Sequence, residues 1–174
     1  MSYEIREFHE ADWPSVWPML RAAIAAGDAY VFSPQSTDIE IHKVWVETPR
    51  ATFVACDAGG AILGTYFIKP NQPGLGDHVC NCGYVVASHA QGKGIAAAMC
   101  EHSQRVAVDL GFRAMQFNFV VETNERAVRL WERLGFAVVG RLPGVFRHQT
   151  LGFVDALVMF KTLVPADVVY HPPP

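Results

Sequence analysis

Charge is scarce in this chain. Asp, Glu, Lys and Arg make up 18% of its 174 residues, and the formal net charge is −3, against about a quarter charged residues in an average soluble domain. No block of Lys and Arg is present, which excludes the footprint of a nucleic-acid or anionic-membrane binder. Long apolar runs are missing too. No stretch reaches the roughly 20 residues that a bilayer-spanning helix needs. The opening MSYEIREFHEADW has no apolar signal core, so a cytoplasmic location is expected. Cysteine is sparse and badly spaced for a metal. Cys56, Cys80, Cys82 and Cys100 include no C-x-x-C pair, and reduced structural thiols are expected rather than a zinc or redox centre. Cys80 and Cys82 fall on one face of a strand. Internal repeats are absent, and the final PPP is the one low-complexity tract.

What is present is apolar patterning. Hydrophobic residues reach 51%, enough for one core of ordinary size. The reading is a single domain over 1–165 with a Pro-rich tail over 166–174. YEIREF alternates as a strand. Asp12 is placed to cap a helix that tolerates Pro14 in its first turn and ends at Gly27. SPQSTDIEIHKVWVE predicts a second, shorter helix. ATFVACD and AILGTYFIK, separated by AGG, read as a hairpin. NQPGLGD is then a loop and HVCNCGYVVA a strand. Gly94–Leu110 is rich in helix formers and stops at Gly111. Arg113–Glu122 is a strand, Asn124 can cap ERAVRLWERLG, FAVVGRL is a strand, PGVFRHQTLG a loop and FVDALVMFKTL a last strand. The order β-α-α-β-β-β-α-β-α-β-β is α+β, a mixed and mostly antiparallel sheet of about seven strands with helices on both faces.

The stretch YVVASHAQGKGIAAAMCEH joins a strand end, glycines and a helix, where phosphates often sit. A Walker A loop fails, because Gly92-Lys93 is followed by Gly94 instead of Ser or Thr. Gly92, Gly94 and Ala97 match a dinucleotide fingerprint, with Glu122 ending the next strand. The hairpin strands that come first, and the short remainder after Glu122, leave no second mononucleotide half. A third pattern runs Gln or Arg, two residues, Gly, one residue, then Gly or Ala. Gln91-Gly92-Lys93-Gly94-Ile95-Ala96 satisfies it. A further motif, Asn124-Glu-Arg-Ala-Val-Arg-Leu-Trp-Glu-Arg-Leu-Gly-Phe136, follows at matching spacing. With both motifs and the strand order, the chain resembles the GNAT superfamily of acyl-CoA-dependent N-acetyltransferases over nearly its whole length. An ordinary helix start accounts for each glycine singly, though not for the second motif.

The resemblance implies acetyl-CoA as co-substrate and no metal. Backbone N–H groups of Gly92–Ala97, at a helix N-terminus, would face the pyrophosphate. Gly94 removes the Cβ from its path, Ala96 and Ala97 keep the first turn slim, and Lys93 adds a charge or stays solvated. Tyr84, Val85 and Val86 would lie along the pantetheine arm as an added strand does. A backbone N–H near Tyr84 would stabilise the oxyanion of a tetrahedral intermediate. Asn124 sits near the cofactor in the family and is equally a plain N-cap. The attacking amine must lose a proton. Glu122 is the first choice of base, ahead of Asp77, His78 and His148, each of which also reads as surface. Many family members offer the leaving thiolate a Tyr, where this chain has Trp131. An indole is a poor acid, so that role is unassigned.

Asn81 and Asn118 are amides inside apolar strands. Unpartnered, a buried amide costs about 1–3 kcal/mol, so each binds another strand's backbone or reaches a ligand. CNCG, FNFVVETN, Trp131, GRLPG and FVDALVMFKTL are also similar to fungal acetyltransferases that detoxify proline analogues such as azetidine-2-carboxylate. That closer resemblance casts Asn81 and Asn118 as acceptor-binding residues, and the family resemblance places the loop that carries His148 beside the acceptor. The expected function is acetyl transfer to the amine of a small molecule, an amino acid or its toxic analogue. Protein N-terminal acetylation, or a non-catalytic acyl-CoA sensor or interaction domain, are the alternatives. Nucleic acid and membrane are not expected partners, and the apolar last strand with VPADVVYHPPP would serve a homodimer.

Overall fold

Val16, Leu20 and Ile24 recur at the helical spacing, and all three are buried where the chain coils as α1 (Trp13–Ala25). The structure is a computed structural model describing residues 3–165. The tail at 166–174, and with it the VPADVVYHPPP half of the homodimer expectation, lies outside the described residues. No described helix is long and apolar enough to cross a membrane.

Asp12 precedes α1 yet makes no side-chain cap bond to it. Its carboxylate takes both arms of the Arg6 guanidinium, each at 2.8 Å, and the His9 N–H. A bidentate, charge-assisted pair outcompetes a single backbone donor, which corrects the expected cap. Arg6 belongs to β1 (Tyr3–Glu7). Thr37 caps α2 (Asp38–His42) through a reciprocal box with Glu40. The chain then widens into a π turn over Lys43–Glu47.

The expected hairpin forms between β2 (Ala51–Asp57) and β3 (Ile62–Pro70). The Asp57 carboxylate closes it by accepting the N–H of Gly59 at 2.9 Å and of Ala61 at 3.0 Å. Next come β4 (Val79–Val86), α3 (Ile95–Asp109), β5 (Ala114–Val121) and α4 (Glu125–Arg133). The end of the chain departs from expectation. PGVFRHQTLG is not a loop, because β6 runs over Ala137–His148 and β7 over Gly152–Thr162. A register shift between Leu142 and Phe146 takes up Pro143, which has no N–H to give to a ladder. Gly144, at φ +62°, turns its N–H onto the Asp155 carboxylate at 2.9 Å.

The seven strands order β1-β2-β3-β4-β5-β7-β6, with β4–β5 as a parallel pair. Two compact units share β4 and α3: residues 3–69 with 83–100, and 70–82 with 101–165. In the first, α1, α2 and the π turn pack Leu20, Ile24, Ile41 and Trp45 against Val54, Phe67 and Val85. In the second, Phe117 stacks on Phe136 at 4.3 Å and meets Trp131 at 5.1 Å. Lys161 donates to the Leu134 carbonyl at 2.7 Å, closing the C-terminal end of α4.

Candidate active site

In the first unit, β4 runs back along β3 and shows one edge to it. The Ala87 N–H bonds Leu63 O at 2.9 Å, and the Val85 carbonyl lies 3.0 Å from where a Gly64 Cβ would stand. Backbone groups alternate along a strand, so Tyr84 and Val86 direct theirs to the other edge. Val85 itself is buried in the core beneath α1 and α2. The Tyr84 ring turns to the opposite face, 5.6 Å from Tyr66.

Beyond β4 a short 3-10 turn, Ser88–Ala90, leads to four exposed residues, Gln91 to Gly94. Gly92 at φ +76° and Gly94 at φ +81° make the reversal, a conformation that costs an L side chain about 1–2 kcal/mol. A Cβ on Gly94 would meet nothing within 4 Å. Packing therefore does not demand glycine there, whereas backbone direction and open approach do. Ile95 and Met99 anchor α3 in the core. The first helical bond is Ala98 N–H to Gly94 O at 3.0 Å, so the amides of Ile95, Ala96 and Ala97 precede the ladder and point outward. That set of donors on a helix N-terminus, with open space where a Gly94 Cβ would stand, fits a pyrophosphate. Lys93 is exposed beside it.

One residue of this unit is not singled out by the sequence. Tyr30, in the connection between α1 and α2, donates its hydroxyl to the Tyr84 carbonyl at 2.5 Å. Its ring lies 6.2 Å from Phe32 and 6.0 Å from Trp45. No local pattern in AGDAYVFSP marks it.

The remaining residues stand in the second unit. Asn124 accepts the Ala127 N–H at 3.2 Å and so caps α4. Asn81 donates to the Gln116 carbonyl at 2.8 Å, the backbone partner that a half-buried amide needs. Asn118 is exposed instead of buried in its strand. It accepts from Gln116 at 2.8 Å and donates to Asn71 at 2.6 Å. The β5 ladder shifts register between Phe117 and Val120, and this irregularity around Asn118 is not legible from alternation. Glu122 is ion-paired with Arg141, which also reaches Asp155 at 3.5 Å. It lines an open groove with Thr123, Glu125, Arg129 and Leu157. His148 ends β6 rather than standing in a loop. Its Nδ1 accepts the N–H groups of Thr150 and Leu151 at 3.2 and 3.3 Å, so the proton sits on Nε2. Asp77 is exposed and half-buried His78 gives its carbonyl to Arg113 N–H at 2.8 Å. Trp131 is buried in the core of its unit. All four cysteines are buried, with no disulfide among them.

Comparison with known proteins gives this geometry its class. Residues 3–136 match the model of the acetyltransferase (GNAT) family. The chain is 35% identical over 113 residues to N-acetyltransferase aca1 of Schizosaccharomyces pombe, covering 63% of this chain and 53% of that protein. It thus spans about half the length of that relative. A GCN5-related N-acetyltransferase from Kribbella flavida superposes with a TM-score of 0.88 and 41% identity, over 92% of this chain and 97% of that one. A phosphinothricin acetyltransferase from Sinorhizobium meliloti, solved with AcCoA, gives a TM-score of 0.84 at 21% identity, over 98% and 96% of the two chains; at that identity the likeness is one of fold. The chain belongs to the GNAT acetyltransferase family.

Proposed function

We propose that this protein is an acetyl-CoA-dependent N-acetyltransferase acting on the amine of a small molecule, an amino acid or a toxic amino-acid analogue. The observation that carries the reading is the Gly92–Ala97 turn: glycines at positive φ, outward amides at the start of α3, and open space in front of Gly94. The S. meliloti relative was solved with AcCoA, which supports assigning this turn to the same ligand.

With acetyl-CoA as substrate, the amides of Gly92–Ala97 hold the pyrophosphate, with Gln91 and Lys93 at its flank. The arm then lies along the outer edge of Tyr84–Val86. The pyrophosphate end follows the strand, so the thioester end lies toward Tyr84. There a backbone N–H stabilises the charge that develops on the thioester oxygen as the amine attacks. The amine gives up its proton to a base, for which Glu122 is proposed, Arg141 being the partner it must share. The C–S bond then breaks and its electron pair leaves on sulfur. A thiol has a pKa of about 8.5, so a thiolate departs near neutral pH without a dedicated acid. This agrees with Trp131 being committed to packing. Asn81 and Asn118 are proposed to border the acceptor, with His148, and Asn124 to add a contact to the cofactor besides its cap.

The test is a thiol-release assay with acetyl-CoA against a panel of amino acids that includes azetidine-2-carboxylate. Turnover of at least one amine is expected. Tight acetyl-CoA binding with no turnover on any amine would replace this reading with that of an acyl-CoA sensor. A melting temperature raised by NAD(H) and not by CoA would overturn both.

A further inference from the structure

Tyr30 has a position that packing alone does not require. Its ring is held by Phe32 and Trp45, and a phenylalanine would keep both contacts. The hydroxyl goes further, to the Tyr84 carbonyl at 2.5 Å. That carbonyl is on the β4 edge turned away from β3, since Val85 and Ala87 direct their groups to β3. The connection between α1 and α2 thus ends one phenol oxygen on the edge along which the arm is assigned, at the thioester end.

The direction of the hydrogen bond decides what this oxygen can do. A carbonyl only accepts, so the phenol proton points at Tyr84 O and the oxygen's lone pairs point away from it. Burial pushes the Tyr30 phenol well above the ordinary tyrosine range. The proton is committed to the Tyr84 carbonyl, and a thiolate, whose conjugate acid has a pKa of about 8.5 against about 10 for an unperturbed phenol, takes a phenol proton only uphill. Tyr30 is therefore not assigned as the acid missing at Trp131. What remains is a neutral hydroxyl oxygen, oriented by the Tyr84 carbonyl, that can accept a hydrogen bond.

We propose that the Tyr30 hydroxyl oxygen receives an N–H of the acceptor amine and so holds the nucleophile at the thioester end of β4. The inference rests on the acetyltransferase reading above. In this role Tyr30 is a binding residue for the acceptor. It orients the nitrogen so that its lone pair, once the base has taken the proton, faces the carbonyl carbon. The Tyr84 carbonyl keeps the hydroxyl from turning its own proton toward the amine, which would repel an N–H.

The experiment is steady-state kinetics on the full chain and its Tyr30→Phe variant. The probes are acetyl-CoA with azetidine-2-carboxylate, L-proline, glycine and L-glutamate as amines, and acetyl-CoA binding is followed by calorimetry. Phenylalanine keeps the ring contacts but strips the Tyr84 carbonyl of its donor, so the melting temperature should fall by a few degrees while the acetyl-CoA KM stays close to wild type. The KM of the accepted amine should rise about tenfold, the loss of one well-placed hydrogen bond. An amine KM unchanged in Tyr30→Phe overturns the inference and leaves the acetyltransferase reading standing. A parallel rise in both KM values also overturns it, because it marks a role in holding the strand. Wild-type chain that binds acetyl-CoA and acetylates none of these amines nor any other amino acid overturns the inference and the reading together.

Discussion

The indole of Trp131 lies against the ring of Phe117 with centroids 5.1 Å apart, and Phe117 stacks in turn on Phe136 at 4.3 Å. The residue where the family resemblance implies an acid is thus part of an aromatic core. Trp131→Ala should cost about 3–5 kcal/mol in denaturant unfolding, as large-to-small core changes do. Trp131→Phe should cost less and leave the pH profile of thiol release unmoved, because no proton passes through the indole.

Gly94 separates the proposed cofactor cradle from the fold. At φ +81°, with nothing near its Cβ position, a Gly94→Val chain should still fold at a cost of about 1–2 kcal/mol. Its side chain would stand where the phosphate approaches. Calorimetric affinity for CoA should fall roughly tenfold or more, and unchanged affinity would remove the loop from the cofactor site.

Asn81 and Asn118 should divide between structure and function. Asn81→Ala strips the Gln116 carbonyl of its 2.8 Å donor, and about 1–3 kcal/mol should be lost on unfolding. Exposed Asn118 should lose no more than about 0.5 kcal/mol as alanine. A raised acceptor KM in Asn118→Ala is then read as lost binding, since the fold is intact.

Glu122→Gln tests the base. Arg141 is exposed and Glu122 partly so, so stability should change by less than about 1 kcal/mol. Turnover should fall by about 10²–10⁴, with the acetyl-CoA KM unchanged. Wild-type turnover in Glu122→Gln would pass the role to Asp77, His78 or His148.

His42 gives a pH prediction for stability. Burial lowers its pKa, and the carboxylates of Glu47 and Glu10, at 3.0 and 3.1 Å, together outweigh that and raise it above 6.5. A pKa raised by folding contributes stability that is complete below the unfolded value and lost as pH rises through the folded one. Melting temperature should therefore fall as pH climbs from about 6.5 through the folded pKa. In His42→Gln that part of the slope should disappear.

Local features were legible because their causes are local. Gly92 and Gly94 announce a reversal, Asn124 caps the helix it precedes, and AGG closes a hairpin. Misreadings arose wherever a distant partner decided. Asp12 gave up its cap because Arg6 of β1 offered two charged donors. Pro143-Gly144 reads as a loop, yet Asp155 takes up the Gly144 N–H and the strand continues to His148.

By itself, then, the sequence determined the helix and strand order, the motif spacing that marks a GNAT chain, and the glycine-led start of α3, since backbone freedom and helix-end donors belong to the residues that carry them. The tertiary structure alone decided that Asn118 is exposed and that Tyr30 reaches the Tyr84 carbonyl. Each depends on which residue arrives from elsewhere in the chain, and hydrogen-bond direction and burial exist only once it has arrived.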